Sequence, residues 1–172
     1  MKKILVLIPV LLLCLGLAAC GGSKAIFDPA QFIFDRETTL PSFVYNANEF
    51  IHRCPKGLGE NSLVVTCSHS GNTLETTRAT QLAGDKGALT ISFSYRVDSP
   101  LWKATQHPIS YVWGPESNPG DNNNGMLYRL VFSILNVLQP NEKYERAIKA
   151  CDNLGKVYEA NKAKFAESAK AF

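Results

Sequence analysis

Alternating apolar and polar positions in the middle of the chain predict β-strands. The clearest case is ALTISFSYRV at 88–97, where every second residue is apolar and the residues between carry hydroxyl groups or charge. SLVVTCSH at 62–69 alternates less strictly, and SGNT at 70–73 is typical of a tight turn. A hairpin with TLETTRATQ as its second arm is therefore expected. PISYVW at 108–113 is the fourth predicted strand.

Apolar residues three and four positions apart predict helices at 41–53, 126–139 and 142–158. AIFDPAQFIFDRE at 25–37 is compatible with either a short strand or a helix. Beyond 158 the last helix is expected to fray, and docking of 159–172 on a partner helix is the alternative. Because strands that alternate in this way have one face in water, the predicted fold class is α+β. An antiparallel sheet of three or four strands has helices packed mainly on one face, and a long C-terminal helix follows.

The first residues have the pattern of a signal peptide. Lys2 and Lys3 precede the apolar run 4–17, which is too short to cross a membrane as a mature helix. The run ends in Leu-Ala-Ala-Cys at 17–20, which resembles the lipobox of bacterial lipoproteins. The resemblance implies that Cys20 is lipidated, and two or more acyl chains would make a lasting anchor.

The same resemblance implies the domain organisation. Residues 1–19 would be a cleaved leader, residues 20–25 the lipidated cysteine with a short tether, and residues 26–172 a single α+β domain. Gly21 stands where such lipoproteins carry Asp when they are retained at the inner membrane. The implied location is therefore the outer membrane, facing the periplasm, or, in a Gram-positive host, the outer face of the cytoplasmic membrane.

Charge and motifs argue against several function classes. Without Lys2 and Lys3 the formal net charge falls from +3 to +1, which is unlike a nucleic-acid-binding protein. The chain has no nucleophile elbow, Walker loop, zinc-protease motif or dinucleotide fingerprint. These observations predict neither a cofactor nor catalysis.

Cysteine and histidine residues raise the question of a metal site or a disulfide. His52 and Cys54 precede Cys67 and His69 in a nearly symmetric stretch, but the two-residue spacings do not suit a zinc site, so no metal is predicted. In an oxidising compartment, paired thiols form disulfides. Cys54 is expected to pair with Cys67 or, alternatively, with Cys151, the first being slightly favoured.

An aromatic segment at 101–113 is followed by the long polar loop 114–125, and the two together are the best candidate for a contact surface. The candidate contact residues are Trp102, His107, Tyr111 and Trp113.

These observations predict a non-catalytic envelope lipoprotein that binds another envelope protein and supports assembly or integrity. The alternatives are an anchored inhibitor of an incoming protein and a hydrolase with an unrecognised site.

Overall fold

The computed structural model describes residues 14–19, 22–115 and 117–170. The chain divides into two compact units, one up to Tyr111 and the other from Val112 onwards. The second unit contains two helices, α6 (Asn123–Leu138) and α7 (Glu142–Lys170). The last helix is therefore continuous to Lys170 and does not end near residue 158.

The first unit is built on a five-stranded sheet in which all pairings are parallel, so the predicted antiparallel sheet is wrong. The strand order is β2-β1-β3-β4-β5. The strands are β1 (Cys14–Ala19), β2 (Ser42–Asn46), β3 (Ser62–Cys67), β4 (Leu89–Ser94) and β5 (His107–Ser110).

Strand β1 contradicts the lipoprotein prediction. It pairs with β2 on one side and with β3 on the other, and Leu17, Ala18 and Ala19 are at most 1% exposed. Residues of the predicted leader and lipobox thus form an inner strand of the folded domain, and cleavage before Cys20 would remove it. The prediction of a lipid anchor in the outer membrane is wrong. Cys20 itself lies outside the described residues.

The first-unit helices are α1 (Gly22–Ala25), α2 (Phe27–Glu37), α3 (Ala47–Arg53), α4 (Leu74–Asp85) and α5 (Pro100–Ala104). The predicted hairpin after β3 is wrong, because its second arm is α4. Parallel neighbours such as β3 and β4 need a crossover connection, and a two-residue turn cannot supply one. Residues 42–46, expected within a helix, are the edge strand β2.

Helices α3 and α4 pack on one face of the sheet. Phe50 of α3 and Ala79 and Ala83 of α4 are buried in one cluster with Ala18 and Val64. Small residues on the helix allow it to lie close to the strands. No helix among the described residues is long and apolar enough to cross a membrane.

Candidate functional site

The strand order places a crevice at the carboxyl end of the sheet. The chain runs from β1 outwards to β2 and then returns to the other side of β1 to form β3, β4 and β5. The carboxyl ends of β1 and β3 are adjacent, since Ala19 pairs with Cys67. In open α/β sheets, ligands bind outside the strand ends at such a switch point.

The loop that leaves β3 is rich in hydroxyl groups. We call residues 68–73, Ser-His-Ser-Gly-Asn-Thr, the hydroxyl loop. Ser68 Oγ lies 2.8 Å from Thr73 Oγ1 and accepts a hydrogen bond from Gly71 N at 3.2 Å. Ser70 Oγ accepts from Asn72 N at 3.2 Å. These bonds fold the loop into a compact turn directly before α4.

Gly71 joins the hydroxyl loop to the loop after β4. Its φ is +67°, and a Cβ atom here would lie 2.1 Å from Ser99 Oγ. Its carbonyl accepts a hydrogen bond from Leu101 N at 3.0 Å. Only glycine combines this backbone conformation with so close an approach, so the position of the loop depends on Gly71.

The start of α4 is not capped by a side chain. Thr73 precedes the helix but makes no side-chain cap hydrogen bond among the described residues, its Oγ1 lying against Ser68 instead. Helix α2 also begins without a side-chain cap, but Ile26 before it is itself helical. Four other helices are capped by a preceding side chain, namely Asn46, Ser99, Asn122 and Asn141. Because α4 follows the carboxyl end of β3 through the hydroxyl loop, its first backbone N–H groups lie at the crevice end of the sheet, where they favour an anion.

Ser23 lies on the β1 side of the same switch point, one residue into α1. Its hydroxyl group lies near the thiol of Cys67, the last residue of β3. Burial raises the pKa of the Cys67 thiol to about 12, and the nearby Ser23 hydroxyl group only partly opposes this. Cys67 therefore remains a neutral thiol, and the polar character of this part of the crevice comes from hydroxyl groups.

An aromatic group lies beside the hydroxyl loop. The His69 imidazole stacks on Tyr95 with ring centroids 5.4 Å apart and an angle of 6° between the planes. His69 Nδ1 lies 2.8 Å from the hydroxyl of Tyr111. Tyr111 is buried, whereas His69 and Tyr95 are exposed. The carboxyl ends of β3, β4 and β5 each supply one of these rings.

A second cavity, of about 410 Å³, is almost entirely apolar and differs in character from the crevice. It includes Phe43, Phe50 and Leu58, and it reaches Ser62 at the amino end of β3. It offers no arrangement of acids, bases or hydroxyl groups comparable with the hydroxyl loop.

The four predicted contact residues belong to different parts of the chain. His107 begins β5 and Tyr111 follows the end of that strand, so they lie at opposite ends of β5. Trp102 is half-buried on α5, and Trp113, 56% exposed, belongs to the second unit. A partner surface at these residues remains a prediction.

The three candidate disulfide residues, Cys54, Cys67 and Cys151, are free cysteines. Cys54 directly follows α3, and Cys67 ends β3. The chain enters β3 soon after α3, so Cys67 lies a full strand further on, roughly 17 Å along its axis. A disulfide needs Cα atoms within about 7 Å. The described residues also contain no group of three or more metal-ligating side chains.

Comparison with known proteins agrees with this fold and adds its family. The SIS domain model matches residues 15–138, so the chain belongs to the SIS domain family. It is 48% identical over 155 residues to fructosamine deglycase FrlB of Bacillus subtilis (strain 168), a match that covers 90% of this chain and 47% of that protein. It is 32% identical over 93 residues to fructoselysine 6-phosphate deglycase of Escherichia coli (strain K12), covering 54% of this chain and 27% of that protein.

Solved structures of similar proteins have the same fold as this chain. A candidate phosphosugar isomerase from Bacillus subtilis has a TM-score of 0.92 and 44% identity, over 99% of this chain and 52% of that one. One from Salmonella typhimurium LT2 has a TM-score of 0.91 and 30% identity, over 99% and 53%. The chain thus spans about half the length of these relatives.

The comparisons overturn the predicted function class. The relatives are named as deglycases and phosphosugar isomerases, which are enzymes, so the predictions of a non-catalytic envelope lipoprotein and of an envelope partner are wrong.

Sequence reasoning missed the hydroxyl loop because SGNT was assigned to a hairpin turn. A signal was available. A turn rich in serine and threonine lies between an apolar strand and a segment with apolar or small residues at helical spacing. Such a turn is compatible with a strand-to-helix loop as well as with a hairpin.

Proposed function

We propose that this chain forms the phosphate-binding part of an enzyme that acts on phosphorylated sugars or their amine conjugates. The observation that carries the proposal is the start of α4, which has no side-chain cap and follows the hydroxyl loop at the switch point of the sheet. The SIS domain match and the names of the relatives support the same ligand class.

The chemistry of the hydroxyl loop suits a phosphate group. A phosphate monoester carries nearly two negative charges at neutral pH and accepts several hydrogen bonds. The first backbone N–H groups of a helix and nearby hydroxyl groups donate such bonds, and the helix dipole favours the charge. Ser70 and Thr73 are both half-buried, so their hydroxyl groups are reachable by a ligand and partly shielded from water.

The sugar would lie beyond the phosphate, over the carboxyl ends of β3 and β4. His69 and Tyr95 flank the hydroxyl loop there and expose their rings. A phosphorylated sugar is therefore expected to bind more tightly than inorganic phosphate, whereas a sugar without phosphate is expected to bind weakly.

Isothermal titration calorimetry tests the proposal. The full chain is titrated with fructose 6-phosphate, with fructose and with inorganic phosphate. Ser70→Ala should weaken fructose 6-phosphate binding roughly ten- to hundredfold, because a hydrogen bond to a charged group contributes about 1.5–3 kcal/mol. Ser168→Ala, at an exposed position on α7, is the matched control and should leave the Kd unchanged.

Two results would contradict the proposal. One is equal affinity of the wild-type chain for fructose and fructose 6-phosphate. The other is a Ser70→Ala variant that is folded and binds fructose 6-phosphate as tightly as the wild type.

A further inference from the structure

The His69 side chain is held by contacts on two sides. Tyr95 stacks on its ring, and Tyr95 N donates to His69 O at 3.0 Å, which fixes the backbone as well. The Tyr111 hydroxyl contacts Nδ1 at the ring edge. An exposed histidine on a loop would otherwise sample several rotamers, so these contacts give His69 a defined orientation beside the proposed ligand site.

The hydrogen bond to Tyr111 has a preferred direction. In the part of the chain that the structure describes, His69 Nδ1 is the one hydrogen-bond partner of the Tyr111 hydroxyl. If Nδ1–H donated to the phenolic oxygen, the buried hydroxyl proton of Tyr111 would have no acceptor, and an unsatisfied buried donor is unfavourable. If Tyr111 donates to Nδ1, both groups are satisfied.

The ionisation of Tyr111 agrees with this direction. Burial, with a smaller contribution from the neighbouring Cys67, raises the pKa of Tyr111 above its usual value. The hydroxyl group therefore keeps its proton over the physiological range and remains a donor.

We propose that Tyr111 is a positioning residue that holds neutral His69 in the tautomer with its proton on Nε2. In this tautomer His69 offers an N–H donor at the ring edge away from Tyr111. His69 lies between Ser68 and Ser70 of the hydroxyl loop, and under the proposed function an oxygen atom of the ligand is the expected acceptor for this donor. The identity of that ligand rests on the proposed function, whereas the tautomer rests on the contact with Tyr111.

Nitrogen NMR of the imidazole rings tests the tautomer directly. The full chain is labelled with ¹⁵N-histidine and measured at a pH above the ordinary titration range of histidine, and His69→Gln assigns the signal. We expect a protonated Nε2 and an unprotonated Nδ1 at His69. Tyr111→Phe should produce a mixture of tautomers, and Tyr95→Phe, which keeps the stacked ring, should not.

Binding of fructose 6-phosphate gives a second readout. Tyr111→Phe should weaken it up to about tenfold, the effect of one neutral hydrogen bond. His69→Gln places an amide near the position of Nε2 and should retain more affinity than His69→Asn, whose amide lies near the position of Nδ1. This order separates a donor role from a purely structural one.

A wild-type His69 with its proton on Nδ1 would overturn the inference, as would a Tyr111→Phe variant with an unchanged tautomer. If the wild-type chain binds no fructose 6-phosphate, the proposed function fails, and the tautomer measurement still decides the role of Tyr111.

Discussion

Helices α4 and α6 begin in opposite ways. Each follows a polar loop, but Asn122 caps α6 by accepting from Gly125 N at 2.9 Å. Thr73 occupies the same position before α4, and its hydroxyl group pairs with Ser68 instead. The start of α6 is satisfied within the fold, whereas the start of α4 keeps its capacity to bind an anion.

Other polar groups of the loop before α6 also form hydrogen bonds within the second unit. Asn118 Oδ1 accepts from Gly120 N, and the Ser117 hydroxyl donates to Gly114 O at 2.7 Å. Arg129 contacts the carboxylate groups of Asp121 and Asp152. A long Asn-rich loop therefore serves the structure of the second unit, and a short Ser- and Thr-rich loop is the better candidate for function. Loop length alone is a poor guide.

The largest expected effect is at Gly71. Gly71→Ala should lower the free energy of unfolding by roughly 2–5 kcal/mol, because a left-handed residue is strained and its Cβ would clash with Ser99. Gly84→Ala, in α4 with open space around it, is the control and should be neutral or slightly stabilising. Urea unfolding of both variants measures the difference, and equal stability would contradict the role of Gly71.

A smaller loss is expected at Gly155 on α7. A Cβ atom there would lie 2.2 Å from Asn118 Nδ2, but this amide is the end of a side chain and is able to move. Gly155→Ala should destabilise the fold by about 1–3 kcal/mol without a direct effect on fructose 6-phosphate binding. The double variant with Asn118→Ala should recover part of the loss, and additive losses would show that the clash lies elsewhere.

Separate substitutions of Thr73 and Asn122, the residues that precede α4 and α6, should distinguish an effect on ligand binding from an effect on stability. Thr73→Val keeps the shape of the side chain and should weaken fructose 6-phosphate binding about tenfold or more, while Thr73→Ser restores the hydroxyl group and the affinity. Asn122→Ala should lower the free energy of unfolding by about 1 kcal/mol through loss of the cap and leave the Kd unchanged. Calorimetry and urea unfolding of all three variants check this. Weaker binding in Asn122→Ala together with unchanged binding in Thr73→Val would refute the comparison.

The smallest effect near neutral pH is expected for Cys67, whose contribution to stability changes only in alkaline solution. The unfolded thiol loses its proton near pH 9, whereas the folded one keeps it to about 12. The folded state thus binds more protons in this window, and the free energy of unfolding falls as pH rises through it, by about 1.4 kcal/mol per pH unit at most. Cys67→Ala should show a shallower fall in urea unfolding at several pH values. Parallel slopes would mean that Cys67 does not contribute.

Several strands and helices could be predicted from the sequence, and each wrong prediction has its own physical reason. Strand β4 was predicted, but its alternation of apolar and polar residues indicated that one face is exposed to solvent. In the structure both faces are buried. Thr90, Ser92 and Ser94 are buried and form hydrogen bonds with Gln106, Thr66 and the Arg96 carbonyl. Buried hydroxyl groups thus produced the pattern of a half-exposed antiparallel strand.

Helix α4 was missed because it is rich in threonine, which favours strands. In the structure, Thr77 and Thr80 donate to the carbonyl groups of Thr73 and Thr76 within the helix. Strand β1 was mistaken for part of a leader because a strand buried on both faces is a continuous apolar run, as a signal peptide is. The candidate site depended on both errors, since the crevice lies where β1 and β3 end and α4 begins.

The most direct test of the account is to map fructose 6-phosphate binding on the backbone amide resonances of the full chain. The account predicts that the largest shifts on titration occur at residues 68–76, the hydroxyl loop and the first turn of α4, and that residues 117–125 before and at the start of α6 change little. Shifts confined to residues 117–125, or no change at residues 68–76 at saturating ligand, would contradict it.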